Sequence, residues 1–193
     1  VIMQRTYIKD LSTKIGQEVL IKGWVSVVRS QKDITFLVLR DITGTVQAIT
    51  FGKSSKMTLE SVVSVTGLVV ANTQAPGGLE IQIKNLEILS AANPELPIPV
   101  VEKGDNETDQ AKRLDWRWLD LRKPQNAKIF KVWTVMENAF RQYCVTNGFI
   151  EIHSPKIVVT STESGSELFE IKYFDQKAYL AQSPQLYKQM AMA

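Results

Sequence analysis

The stretch EVLIKGWVSVVRSQKDITFLVLRD, residues 18–41, decides how the first half of the chain reads. Two runs rich in Val, Ile and Leu flank the polar RSQKD, the signature of two strands joined by a turn. In the second run, alternation puts Ile34, Phe36 and Val38 on one face and Leu37 and Leu39 on the other. Only one of those faces can be core.

Outward from there, TVQAITF (45–51), SVVSVTGLVV (61–70) and LEIQIKNLEIL (79–89) continue the pattern, punctuated by Thr43-Gly44 and by APGG at 75–78. GKSSKMTLE (52–60) lies between the third and fourth runs and is read as one or two helical turns. Five strands with a short insertion after the third is the layout of an OB-fold, a small and partly open barrel. Another five-stranded barrel would give the same pattern.

Residues 90–112, with three prolines and then a charged run without periodicity, read as a linker. Order returns at RLDWRWLDLRKP (113–124), where Pro124 suits the first turn of a helix. Ile129, Val132, Trp133, Met136, Ala139, Phe140 and Tyr143 then recur at three- and four-residue spacing, which predicts an amphipathic helix of about six turns. Gly148 is its natural stop. FIEIHSPKIVV (149–159) reads as a strand that Pro155 confines to an edge or interface. SELFEIKYFDQKAYLA (166–181) reads as a hairpin turning near Asp175–Gln176. Ser183 is a good N-cap and Pro184 a good N1 residue for a helix after it.

Composition excludes more than it proposes. The 193 residues are 44% hydrophobic and 22% charged, as in ordinary globular domains, and a net charge of +3 does not by itself point to nucleic acid. The single Cys144 allows no intrachain disulfide and reads as a small core residue. No apolar run approaches the roughly 18 residues of a membrane span and no signal-peptide core opens the chain, so a cytoplasmic protein is the simplest expectation. The chain opens on Val1, not Met, and reads as a fragment or a trimmed form. Phosphate-loop, dinucleotide and zinc signatures are absent from the sequence, and no metal site is expected within it. His153, the one histidine, reads as structural or surface.

Two places point to chemistry. An outward Phe36 near Arg29 and Gln47 would make a platform for single-stranded nucleic acid, with the ring stacking a base and the polar groups meeting charge and base edges. The alternative is a buried Phe36, the common fate of a strand phenylalanine. The second place is AYLAQSPQLYKQM (178–190). Gln185 and Lys188 fall one helical turn apart on one face, where a strand end meets a helix start, a frequent pocket lining. A solvated lysine on an ordinary helix is the plain alternative.

These residues resemble those of a known family, the class II aspartyl-tRNA synthetases of the archaeal and eukaryotic-cytosolic kind, over essentially the whole chain. KGWV, FLVLRD and VQA are similar to that family's anticodon-binding OB-fold, and RLDWRWLDLR to its hinge. NGFIEIHSPKI is similar to class II motif 1, and TESGSELFEIKYF with YLAQSPQLYKQM to the amino-acid pocket. The resemblance implies an OB-fold anticodon domain over 1–92, a linker over 93–112, and over 113–193 the start of an α+β class II catalytic domain built on an antiparallel sheet.

It also implies roles. Phe36 would stack on the middle anticodon base, with Arg29, Gln47 and Glu80 reading base edges; alternation agrees for Glu80, since Leu79, Ile81 and Ile83 face the other way. Pro155 would lie at a homodimer interface. Glu163, on a loop from Thr160 to Phe169, would bind the ammonium of aspartate, with Gln185 helping and Gln182 and Ser183 nearby. Lys188 would neutralise the aspartate side-chain carboxylate, whereas asparagine as substrate would leave that lysine buried and unpaired. Where the family's loop reads Glu-Gly-Gly, Ser164 replaces the first glycine.

The implied reaction joins L-aspartate to ATP as an adenylate and passes it to the 3′ end of tRNA(Asp), with Mg²⁺ assisting. The ATP-binding motifs 2 and 3 and the Mg²⁺ ligands would lie beyond Ala193, so this stretch alone is not expected to form the adenylate. Two other readings stand beside it: a truncated RNA-binding module without catalysis, and an asparaginyl-type ligase.

Overall fold

The computed structural model describes residues 3–51, 57–101, 108–159 and 168–192, which form two compact units, Val1–Ala127 and Lys128–Ala193. In the first unit β1 (Glu18–Gln31), β2 (Ile34–Arg40), β3 (Thr45–Phe51), β4 (Val62–Ala71) and β5 (Leu79–Ser90) close a barrel in the order β1-β2-β3-β5-β4. Neighbours are antiparallel except β3 and β5, which run parallel. The barrel expected to be partly open is closed, by the pairing of β1 with β4 from Glu18↔Leu68 to Trp24↔Val62.

Alternation decides the filling. Val19, Ile21, Val25, Leu37, Leu39, Val46, Ala48, Val63, Val65, Val69 and Ile81 point inward and are buried together. Leu37 and Leu39 are thus core, and Phe36 with Val38 stands on the outer face, half-buried. β1 is long enough to serve two neighbours because a bulge between Val25 and Val27 bends it from β4 toward β2. A Cβ on Gly23 would collide with the Arg40 carbonyl at that crossing. A 3-10 helix, Ile8–Lys14, carries Ile8 and Leu11 into the same core, an element without a sequence signal strong enough to predict it.

Asp41 fastens that helix to the barrel. Its carboxylate accepts from the backbone N–H of Ile8 at 2.9 Å, Thr43 at 2.7 Å and Gly44 at 3.1 Å, and from the Thr43 hydroxyl at 2.6 Å. Burial alone would push this carboxyl up; the Thr43 hydroxyl and the three N–H groups outweigh it and hold it below the ordinary aspartate value. The folded state therefore releases this proton more readily than the unfolded one. The stability so gained is complete above about pH 4 and drains as pH falls through the lowered value. The acid limb of an unfolding-midpoint profile should flatten in Asp41→Asn; an unchanged limb would remove Asp41 from this role.

The described first part of the segment read as a linker, up to residue 101, is packed down at Ile98 and Val100. Ile98 (1% exposed) and Val100 (6%) bury Leu119 in a second small cluster, with Leu96 beside it. α1 (Gln110–Asp115) starts on Asp109, whose carboxylate accepts from the N–H of Ala111 and Lys112, and α2 (Arg117–Asp120) follows at once. Of the insertion expected to be helical, the described part, 57–60, has no helix: 57 and 58 are without regular structure and 59–60 form a turn; residues 52–56 lie outside the described residues.

α3 (Pro124–Thr146) begins at its proline as expected, and Gly148, at φ +81°, ends it where Phe149 N–H reaches the Cys144 carbonyl. None of its residues is buried: Trp133 is 55% exposed and Phe140 72%. Cys144 is half-buried, not core, because among the described residues the helix has no packed partner face. β6 (Ile157–Val158), β7 (Glu170–Tyr173) and β8 (Gln176–Leu180) form an antiparallel sheet in the order β6-β8-β7. The hairpin turns at Phe174–Asp175, one residue before the expected Asp175–Gln176. The strand expected over 149–159 is reduced to β6. Pro155 has no N–H to donate, and residues 149–156 pair with no described strand.

Candidate functional site

On the outer face of the barrel, β-register assembles what the sequence kept apart. Arg29 on β1 lies opposite Phe36 on β2, Phe36 opposite Ile49 on β3, and Ile49 opposite Gln82 on β5. The next row on this face runs Val38, Gln47, Glu80 and then Val70 on β4. Phe36 and Gln47 are therefore diagonal neighbours on one surface. Arg29 is exposed and Phe36 and Gln47 half-buried.

Glu80 departs from the expectation of an open carboxylate. It is on the outer face but only 7% exposed, and its Oε2 accepts from Gln47 Nε2 at 2.9 Å. Flanking strands on both sides and the Gln47 amide cover it. The bond fixes the amide: with one N–H given to Glu80, Gln47 keeps a second N–H and its carbonyl, and Glu80 keeps acceptor capacity. The result is an apolar ring edged by a guanidinium and a pre-set donor–acceptor pair, the groups that stack a base and hydrogen-bond its edge. The Gln47–Glu80 pair had no sequence signal. Its members are 33 residues apart and meet only because β3 and β5 run parallel.

The second group of predicted residues is in the other unit, at the end of β8 and the start of α4 (Gln185–Ala191). Pro184 occupies the cap position, one residue later than expected, yet Ser183 Oγ still accepts from Gln185 N–H at 3.2 Å. Lys188 N–H bonds the Pro184 carbonyl at 3.0 Å, which sets Gln185 and Lys188 one turn apart. Gln182, Gln185 and Lys188 are exposed and Ser183 half-buried. Ala181 N–H bonds the Lys156 carbonyl, anchoring this corner to the chain entering β6. Pro155 and His153 are exposed nearby in sequence. Glu163 and Ser164 lie outside the described residues. Among the described residues no cluster of three or more His, Cys, Asp or Glu could hold a metal ion, and no helix is long and apolar enough to cross a membrane.

Comparison with known proteins divides the chain earlier than the two compact units do. Residues 19–89 match the OB-fold nucleic acid binding domain, and residues 109–193 match tRNA synthetases class II (D, K and N). The chain is 47% identical over 187 residues to an aspartate--tRNA(Asp/Asn) ligase of Methanopyrus kandleri, a match covering 92% of this chain and 43% of the relative. It is 43% identical over 197 residues to the ligase of the same name from Methanocaldococcus jannaschii, covering 97% of this chain and 44% of the relative. The chain thus spans less than half the length of these curated relatives.

Among solved structures, asparaginyl-tRNA synthetase from Pyrococcus horikoshii complexed with asparaginyl-adenylate superposes with a TM-score of 0.86 at 33% identity, covering 98% of this chain and 45% of that one. Aspartyl tRNA synthetase from Entamoeba histolytica gives 0.76 at 27% identity, covering 98% and 43%. Behind a five-stranded barrel with its outer-face platform, residues 109–193 thus carry the likeness to the class II tRNA synthetases of the D, K and N group.

Proposed function

We propose that the chain is part of an aspartate–tRNA ligase, which activates L-aspartate with ATP and transfers it to the 3′ end of tRNA(Asp). The observation that carries this reading is the joint presence of the Arg29–Phe36–Gln47–Glu80 platform and of Lys188 at the start of α4, in a chain whose curated relatives bear that activity in their names. The barrel, 1–92, would hold the anticodon, residues 93–112 would link, and 113–193 would contribute the front of the catalytic domain. Gln182, Ser183, Gln185 and Lys188, with Glu163, would bind aspartate. ATP and Mg²⁺ would be held by residues outside this chain. The protein would act in the cytoplasm as a homodimer, with Pro155 at the interface.

Such chemistry needs positioning and charge neutralisation more than a proton-transfer pair. The direct test is aspartate-dependent ATP–pyrophosphate exchange and tRNA aspartylation by the complete protein. Absence of both, with RNA binding that weakens with salt, would favour a binding module instead. Exchange driven by asparagine, not aspartate, would favour the asparaginyl reading, to which the Pyrococcus horikoshii likeness lends support.

The platform has its own test. Phe36→Ala should weaken binding of tRNA(Asp) by about 1–3 kcal/mol, the worth of one base–aromatic stack, with the barrel's melting temperature nearly unchanged. A melted barrel, or unchanged tRNA affinity, would remove Phe36 from the interface.

A further inference from the structure

Glu60 is the least expected residue of the barrel. It is buried, it carries a charge, and its backbone sits at φ +65°, a conformation that side-chain-bearing residues rarely adopt. Such a residue persists only where its surroundings over-determine it. Here they do. Glu60 N–H donates to the Val25 carbonyl at 2.7 Å, and Oε2 accepts from Arg40 Nη2 at 2.7 Å and from Arg122 Nη1 at 2.6 Å. Its carboxylate is 3% exposed, against 15% for Arg40 and 30% for Arg122.

The two arginines come from different places. Arg40 ends β2, and Arg122 lies 62 residues beyond Glu60, just past α2. Both guanidiniums lie over the Trp24 ring, at 5.7 and 5.8 Å, and Arg122 also lies over Trp118 at 5.5 Å. The turn that carries Glu60 holds a third segment. Thr58 Oγ1 donates to the Ala92 carbonyl at 2.7 Å, and Ala92 N–H donates to Ser61 Oγ at 3.0 Å, just where the chain leaves β5. Between barrel and hinge on this side is an open groove of about 400 Å³ lined by Trp24, Glu60, Trp116, Trp118 and Arg122. Leu119 packs beside Leu96 on one flank of it, and the charged clasp spans it.

We propose that Glu60 is a positioning residue, a clasp that makes residues 113–123 a rigid extension of the barrel and so fixes the direction in which the chain leaves it. Resting on the ligase reading above, this clasp transmits RNA binding on the barrel to the aminoacylation step without touching either substrate. A carboxylate shared by two guanidiniums suits that role, since both bonds are charge-assisted and removing the one acid releases both arms.

Hydrogen exchange on this 193-residue chain tests the clasp independently of the function. In Glu60→Gln, amides of 113–123 should exchange about ten-fold faster or more, while β1–β5 keep their protection, a local opening and not global unfolding. Should Glu60→Gln loosen the barrel as well, Arg122→Met decides, because it leaves the Arg40–Glu60 pair in place. Unchanged hinge exchange in Arg122→Met overturns the proposal.

In the complete protein, Glu60→Gln should leave tRNA-independent pyrophosphate exchange within about two-fold and leave affinity for an anticodon stem-loop unchanged, yet lower kcat/KM for tRNA aspartylation about ten-fold. Equal losses in exchange and aspartylation would mean a general structural role and would also overturn it. A wild-type protein without aspartylation would instead defeat the ligase reading and leave the exchange test of the clasp standing.

Discussion

Lys188→Ala in the complete protein is expected to lower kcat/KM for aspartate in pyrophosphate exchange by roughly 10²- to 10⁴-fold, with tRNA affinity nearly intact. The magnitude follows from a desolvated ammonium–carboxylate pair, whose disruption costs about 3–5 kcal/mol, at 1.36 kcal/mol for each factor of ten. The split between the two readouts follows from placement. Lys188 belongs to the second compact unit, whereas the platform proposed for the anticodon belongs to the first. In this chain Lys188 is exposed on the first turn of α4. More than half the length of each relative lies outside the matched stretch, and the proposed desolvation of Lys188 would have to come from residues there. Glutamine at position 188 should not restore the loss, because it offers no charge. A loss below ten-fold would mean that another cation holds the substrate carboxylate, and the pocket assignment would fall.

The second large effect concerns stability. Asp120 is fully buried, and its Oδ1 accepts from Arg113 Nε at 3.0 Å and Asn126 Nδ2 at 2.9 Å. Lys123 Nζ stands 3.5 Å from that oxygen, and Arg117 Nη1 stands 3.5 Å from the other. Lys123 is itself 1% exposed, the largest fully buried side chain of the described residues. Asp120→Ala removes the acid around which three cations, one of them buried, are gathered. The expected cost is about 3–5 kcal/mol, a large share of the roughly 5–15 kcal/mol that holds a typical domain folded. Urea unfolding followed by tryptophan fluorescence reads it directly, since Trp24, Trp116 and Trp118 belong to the same unit as Asp120. Asp120→Asn, which keeps the shape and loses the charge, separates electrostatics from packing. A cost under about 1 kcal/mol for the alanine would show that the cluster is held by something other than its acid.

Much of the candidate site was legible locally. Strand alternation offered Phe36 and Val38 as one face and Leu37 with Leu39 as the other, because successive side chains on a strand point to opposite sides. Pro124 and Gly148 bracketed α3, because one lacks an N–H that a first turn does not need and the other takes up a left-handed backbone at little cost. Ser183, Gln185 and Lys188 were placed together for the same reason: a cap and a helical turn are properties of a few consecutive residues.

What alternation left undecided was which face of β2 meets the core, and the closing of the barrel decided it for Leu37 and Leu39. Pairing of β3 with β5 brought Gln47 against Glu80 and buried a carboxylate that alternation alone had placed in solvent. Tertiary packing set Ile98 and Val100, from an expected linker, onto Leu119 in a cluster separate from the barrel core. It placed Arg40, Glu60 and Arg122 in one clasp from three segments with no shared local pattern. The sequence by itself determined the periods, the caps and the residues offered to each face, since these depend on backbone geometry over one or two turns. Only the tertiary structure decided which of those residues meet, because contacts between segments 20 to 62 residues apart exist only once the strands have paired.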